Sequence, residues 1–87
     1  MNDYIISFSR SARHDLSRLD RIIVNRIFPK IEALAKDPRP TGSRKIQGAD
    51  DLWRIRVGDY RVIYRIQDAQ LIIEVVAIRH RRDAYRF

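Results

Sequence analysis

Two repeat lengths run through the chain. In the first half apolar residues recur at helical spacing: Ala12, Leu16 and Leu19, then Ile23, Ile27 and Ile31, followed by Leu34 and Ala35. In the second half they alternate with polar residues, the period of a half-buried strand. The first pattern predicts two helices. One starts from a cap at Ser9 or Ser11 and runs to about Leu19; the second starts at Asp20. Pro29 falls inside the second helix and removes a backbone donor, which predicts a kink or local break. Asp37-Pro38-Arg39-Pro40 ends it, because a residue before proline is driven out of helical geometry. Ahead of both helices, residues 3–8 read as a β-branched and aromatic strand.

The alternating half predicts strands over Leu52–Val57, Tyr60–Ile66 and Leu71–Ile78, with turns at Gly58-Asp59 and Asp68-Ala69. Strand, helix, helix and a three-strand antiparallel meander make an α+β fold: a four-stranded sheet with the helix hairpin on one face. No linker, repeat or biased segment interrupts the 87 residues, so residues 1–87 read as one domain.

Alternation also assigns faces. Trp53, Ile55 and Val57 share the core side with Tyr60, Val62, Tyr64 and Ile66, while Arg54, Arg56, Arg61 and Arg65 point outward with Leu52 and Ile63. With a two-residue turn at Gly58-Asp59, Val57 pairs with Tyr60, Arg56 stands opposite Arg61, and Arg54 stands opposite Ile63. Opposed like charges destabilise a sheet, so an arginine pair kept there points to a bound anion. Glu74 on the last strand is expected to pair with Arg61 or Arg65.

Composition narrows the partner. The chain carries 18 Lys+Arg against 11 Asp+Glu, a formal charge of +7, and 15 of the 18 bases are Arg. Arginine presents a planar fork that grips phosphate with two hydrogen bonds, so a polyanion, either nucleic acid or an acidic protein, is the expected partner. The 45% hydrophobic fraction is ordinary for a globular chain. The absence of Cys excludes a disulfide framework, a thiolate zinc site and a cysteine nucleophile, and suits a reducing cytoplasm. No apolar run approaches the ~18 residues of a membrane span, and Tyr4-Ile5-Ile6-Ser7-Phe8 is too short for a signal segment. His14 and His80 stand far apart with no carboxylate cluster, which argues against a metal. Gly42, Gly48 and Gly58 lack the spacing of a phosphate loop, and no serine sits in a nucleophile elbow, so no cofactor is expected. Past the last strand, Arg79-His80-Arg81-Arg82-Asp83-Ala84-Tyr85-Arg86-Phe87 adds four arginines, a histidine able to move protons and a tyrosine able to stack on a base.

The run Lys45-Ile46-Gln47-Gly48, then Leu52-Trp53-Arg54-Ile55-Arg56-Val57-Gly58-Asp59-Tyr60-Arg61-Val62-Ile63-Tyr64-Arg65-Ile66, resembles toxins of the RelE/ParE superfamily. The closing segment Ile78 to Tyr85 is similar to theirs as well, so the resemblance covers essentially the whole chain. It implies a cytoplasmic toxin of a type II toxin–antitoxin system, neutralised by a cognate antitoxin. In the RelE branch such a toxin binds the ribosome and cuts mRNA in the A site without metal. The RNA 2′-hydroxyl attacks the adjacent phosphate, leaving a 2′,3′-cyclic phosphate and a 5′-hydroxyl.

Carried over by position, the resemblance assigns Arg54 and Arg56 to two basic strand residues, Arg61 to a phosphate contact, Arg81 to a C-terminal arginine and Tyr85 to stacking on the scissile nucleotide. Lys45, Arg65, Arg79 and Arg82 are expected to add RNA contacts around them. The best-known branch has lysines where Arg54 and Arg56 stand; arginine stays protonated, so proton transfer is expected of His80 or Tyr85. The ParE branch, which poisons DNA gyrase, shares the fold and is the alternative.

Overall fold

The computed structural model describes residues 3–49 and 51–82. Among these, the elements in chain order are β1 (Ile5–Phe8), α1 (Arg10–Ser17), α2 (Arg21–Ala33), β2 (Arg44–Lys45), β3 (Leu52–Val57), β4 (Tyr60–Gln67), a short 3-10 turn (Asp68–Gln70) and β5 (Ile72–His80). The sheet runs β1-β5-β4-β3-β2. The meander of β3, β4 and β5 is antiparallel, as alternation predicts. β1 joins β5 in parallel, an arrangement that needs a crossover, and the helix pair lies within that crossover. The sheet has five strands, one more than expected, because Arg44–Lys45 pairs with β3 at the edge. Two charged residues have no hydrophobic alternation, so the pattern is silent about them.

Local chemistry sets the boundaries. Ser9, not Ser11, caps α1: its Oγ accepts from the Ala12 N–H at 3.0 Å. That helix ends at Ser17 and Leu19 follows in a turn, its N–H donating to the Leu16 carbonyl at 3.1 Å. α2 runs through Pro29 without a break. Pro29 is exposed, and the fully buried Ile27 and Ile31 on either side anchor the helix across it. The β3–β4 turn places Gly58 at φ 59°, a left-handed backbone suited to glycine, as in a type II′ hairpin.

The main core lies between the helices and one face of the sheet. Ala12, Ile27, Ile31 and Leu34 meet Ile55, Val57, Val62, Tyr64, Ile66, Ile73, Val75 and Ile78 there. Each fully buried aliphatic side chain contributes about 1.5–3 kcal/mol. The loop after α2 is clamped onto this layer. The buried Tyr64 hydroxyl donates to the Pro38 carbonyl at 2.7 Å, and burial pushes that hydroxyl up to about 12. Arg39 stacks over Trp53, 5.1 Å from the ring centroid, and reaches Asp68 at 2.9 Å. Asp68 also accepts from the Tyr4 hydroxyl. Hydrogen bonds from Arg39 and Tyr4 hold the Asp68 carboxyl below its ordinary range.

A bulge in β5 decides what faces where at the sheet's end. Ile63 pairs with Ala77 and Tyr64 with Val75, so Val76 is an extra residue. Strict alternation from Ile73 and Val75 would turn Ile78 and His80 outward; the bulge returns them to the helix side and sends Arg79 outward. Ser9 holds the bulge, its N–H donating to the Val75 carbonyl at 2.9 Å and its Oγ–H to the Val76 carbonyl at 2.9 Å. The outer face is only partly open. Ile46 and Ala49 pack against a small buried cluster of Leu52, Ile63 and Ala77.

Candidate functional site

Strand register places three arginines in one row on the outer face. Arg56 on β3 stands opposite Arg61 on β4, as alternation predicts, and Arg61 stands opposite Arg79 on β5. One step along, Arg54 stands opposite Arg44 of β2. Arg79 belongs to β5, not to a tail beyond it, because the strand continues to His80.

The neighbours differentiate these cations. Arg79 is ion-paired with Asp15 of α1, whose Oδ2 also accepts from the Ile78 N–H at 2.9 Å. β1 pairs with β5 only as far as Val75, and Asp15 supplies the acceptor beyond that point. Arg65 is held between two carboxylates, 3.1 Å from Asp51 and 3.0 Å from Glu74. Glu74 therefore pairs with Arg65, one of the two partners expected of it. Arg65 thus lies between two carboxylates at one end of the outer face, and Arg56 and Arg61 stand at the other end, by the β3–β4 hairpin.

At the hairpin end Arg56, Arg61 and Arg81 line a hollow of about 170 Å³ with Gly58, Asp59 and Tyr60. The Arg81 N–H donates to the Asp59 carbonyl at 2.7 Å, which fixes the chain just past β5 over the hairpin tip. Arg26 of α2 brings Nη1 to 3.7 Å from where a Cβ on Gly58 would lie. Guanidinium groups converging on a concave surface suit an anion with several oxygens, such as a phosphate. They stay protonated, so they can stabilise negative charge and cannot take up a proton.

His80 lies elsewhere. It pairs with Tyr60 on the helix side of the sheet, their rings edge-to-face with centroids 5.3 Å apart. Its Nδ1 accepts from the Arg82 N–H at 3.3 Å, an arrangement whose neutral tautomer carries the proton on Nε2. His80 lines a separate hollow of about 630 Å³ with His14, Asp15, Arg18 and Arg79. The fold therefore brings Arg56, Arg61 and Arg81 together, with Arg54 beside them on the same face, and sets His80 behind the sheet. Lys45 is exposed on β2 opposite Trp53, and Arg82 is exposed after β5. Tyr85 lies outside the described residues.

Sequence reasoning missed Arg44, Arg26 and Asp15. Arg44 needed the pairing of a two-residue strand, and Arg26 the packing of α2 behind the hairpin. Asp15 had a weak signal: a carboxylate on an otherwise basic helix, one residue from the buried stripe.

Related proteins share this fold. A family model described as the ParE toxin of the parDE type II toxin–antitoxin system matches residues 6–85. A RelE-like toxin protein of Escherichia coli is 33% identical over 86 residues, covering 94% of this chain and 90% of its own. Toxin RelG of Mycobacterium tuberculosis is 30% identical over 84 residues, covering 95% of this chain and 97% of its own. Among solved structures, the archaeal RelE–RelB complex from Pyrococcus horikoshii matches with a TM-score of 0.80 at 26% identity, over 91% of this chain and 96% of the other. The toxin–antitoxin complex RelBE2 from Mycobacterium tuberculosis matches with a TM-score of 0.80 at 24% identity, over 90% of this chain and 98% of the other.

Proposed function

This chain belongs to the ParE toxin family of type II toxin–antitoxin systems, and on that premise we propose that it is a ribosome-dependent endoribonuclease that cuts mRNA in the A site. The observation that carries this reading is the hollow of Arg56, Arg61 and Arg81 at the hairpin tip. RelE-like relatives at 30–33% identity over nearly the whole chain support it.

In this reading the scissile phosphate sits in the hollow. The 2′-oxygen forms a bond to phosphorus while the bond to the 5′-oxygen breaks, leaving a 2′,3′-cyclic phosphate and a 5′-hydroxyl. The phosphorane gains negative charge on its non-bridging oxygens, and Arg56, Arg61 and Arg81 hydrogen-bond to it there. Arg54 holds a neighbouring phosphate. His80 is set behind the sheet, so proton transfer falls to Tyr85 of the two side chains considered for it. Electrostatic stabilisation carries most of the rate, and each arginine in direct contact is worth about 10²–10³-fold.

A cognate antitoxin completes the system. Solved relatives include RelE–RelB complexes, and an acidic antitoxin segment matches the charge of +7 here. Such complementarity speeds capture at low salt. The ParE description of the family model favours a second reading, in which the toxin poisons DNA gyrase. Expression in cells separates the two: the ribonuclease reading expects translational arrest, lost in folded Arg61→Ala and Arg81→Ala. Arrest that persists in both variants, or a DNA-damage response in its place, would overturn that reading.

A further inference from the structure

We propose that the hollow between α1 and the end of β5 is a second phosphate site, taking the backbone of the same RNA strand as it leaves the arginine hollow. This inference rests on the ribonuclease reading and extends it to the opposite side of the sheet. Tyr60 lines both hollows, so a strand passing round the end of the sheet meets one and then the other.

The chemistry of the second hollow suits a nucleotide. At about 630 Å³ it lies within the range of small-ligand sites. Arg18, the exposed C-cap of α1, supplies positive charge, while the charge of Arg79 is matched by Asp15. Asp15, the one acid lining the hollow, is paired with Arg79 and the Ile78 N–H, which leaves the charge of Arg18 uncompensated by it. The tautomer that the Arg82 N–H imposes on His80 makes Nε2–H a donor. The Tyr60–His80 ring pair offers aromatic surface, which favours a nucleotide over an acidic peptide, because a base can stack where a carboxylate side chain cannot.

The test is fluorescence-anisotropy titration of a short labelled single-stranded RNA against the full chain over a range of salt concentrations. The variants are Arg18→Gln, Arg18→Lys and Arg56→Gln, with Trp53 fluorescence confirming that each is folded. The slope of log K against log salt should fall in magnitude by about 0.7 in Arg18→Gln and return in Arg18→Lys, because a lysine replaces a phosphate contact. Arg56→Gln should lower it by a similar amount, and the double variant by about 1.4. An unchanged slope in Arg18→Gln beside a lowered one in Arg56→Gln overturns the second site and leaves the ribonuclease reading standing. Unchanged slopes in both overturn the second site, and the ribonuclease reading is then decided separately by cleavage in the presence of ribosomes. An Arg18→Gln variant that keeps its RNA slope but captures an acidic antitoxin peptide more slowly assigns the hollow to a protein partner, and this also overturns the proposal.

Discussion

Replacing Asp15 by alanine should destabilise the fold by about 1–4 kcal/mol, although Asp15 belongs to a short, mostly exposed helix. Its side chain is only 15% exposed and makes two contacts, to Arg79 and to the backbone N–H of Ile78, itself 4% exposed. Stranding a buried N–H costs about 1–3 kcal/mol. Losing the ion pair, whose Arg79 end is 30% exposed, adds up to about 1 kcal/mol. For a chain of this size each kcal/mol moves the melting midpoint by roughly 4–8 °C, so the shift should be at least about 4 °C. Asp15→Asn separates the two contributions. It keeps an oxygen for Ile78 and removes the charge, so it should lose no more than about 1 kcal/mol. The assay is urea unfolding followed by the fluorescence of Trp53, the only tryptophan. An alanine variant within about 0.5 kcal/mol of wild type, the usual range of an inert surface change, would refute the reasoning. So would an asparagine variant as damaged as the alanine one, because the charge would then be carrying the whole effect.

Arg61→Ala should lower ribosome-dependent cleavage by about 10²–10³-fold in a variant that a thermal melt shows to be folded, read by single-turnover cleavage. Arg65→Gln should leave the salt dependence of RNA binding unchanged and cost about 1 kcal/mol or less per lost pair, because Asp51 and Glu74 already hold the guanidinium. Stability should fall in alkali: Tyr64 is raised to about 12 in the folded chain, so its contribution is complete below the ordinary tyrosine value of ~10 and is lost as pH rises through 12. Urea midpoints across that window should drop in wild type and drop less in Tyr64→Phe. Asp68 has the opposite sign. Its lowered carboxyl stabilises the fold above the ordinary carboxylate value and ceases to do so as pH falls, a loss that Asp68→Asn should abolish in acid titration of the melting midpoint.

Much of the site could be read from the chain because β3 and β4 alternate without interruption across a two-residue turn. Once Gly58-Asp59 is recognised as that turn, Arg56 must meet Arg61 and Arg54 must meet Ile63, and both pairings occur. The reading stops at Val76. A bulge adds one residue with no mark in hydrophobicity, and beyond it every side chain changes face. That shift aligns Arg79 with Arg56 and Arg61, and it also separates His80 from them. Arg44–Lys45 escaped for a different reason: two charged residues at an edge owe their strand conformation to β3 and not to their own pattern. The helices were legible in number and poorly so in detail, since the choice of Ser9 over Ser11 depends on the bulge carbonyls that Ser9 also binds.

The arginine hollow at the hairpin tip is proposed to cut mRNA within the ribosome. Its most direct test is in vitro translation of a defined message with purified toxin, mapping new 5′ ends with and without ribosomes, for wild type and Arg61→Ala. The account expects cuts at A-site codons that require ribosomes, carry 5′-hydroxyl ends and nearly vanish in the variant. Unbroken message and undisturbed translation with wild-type toxin would contradict it.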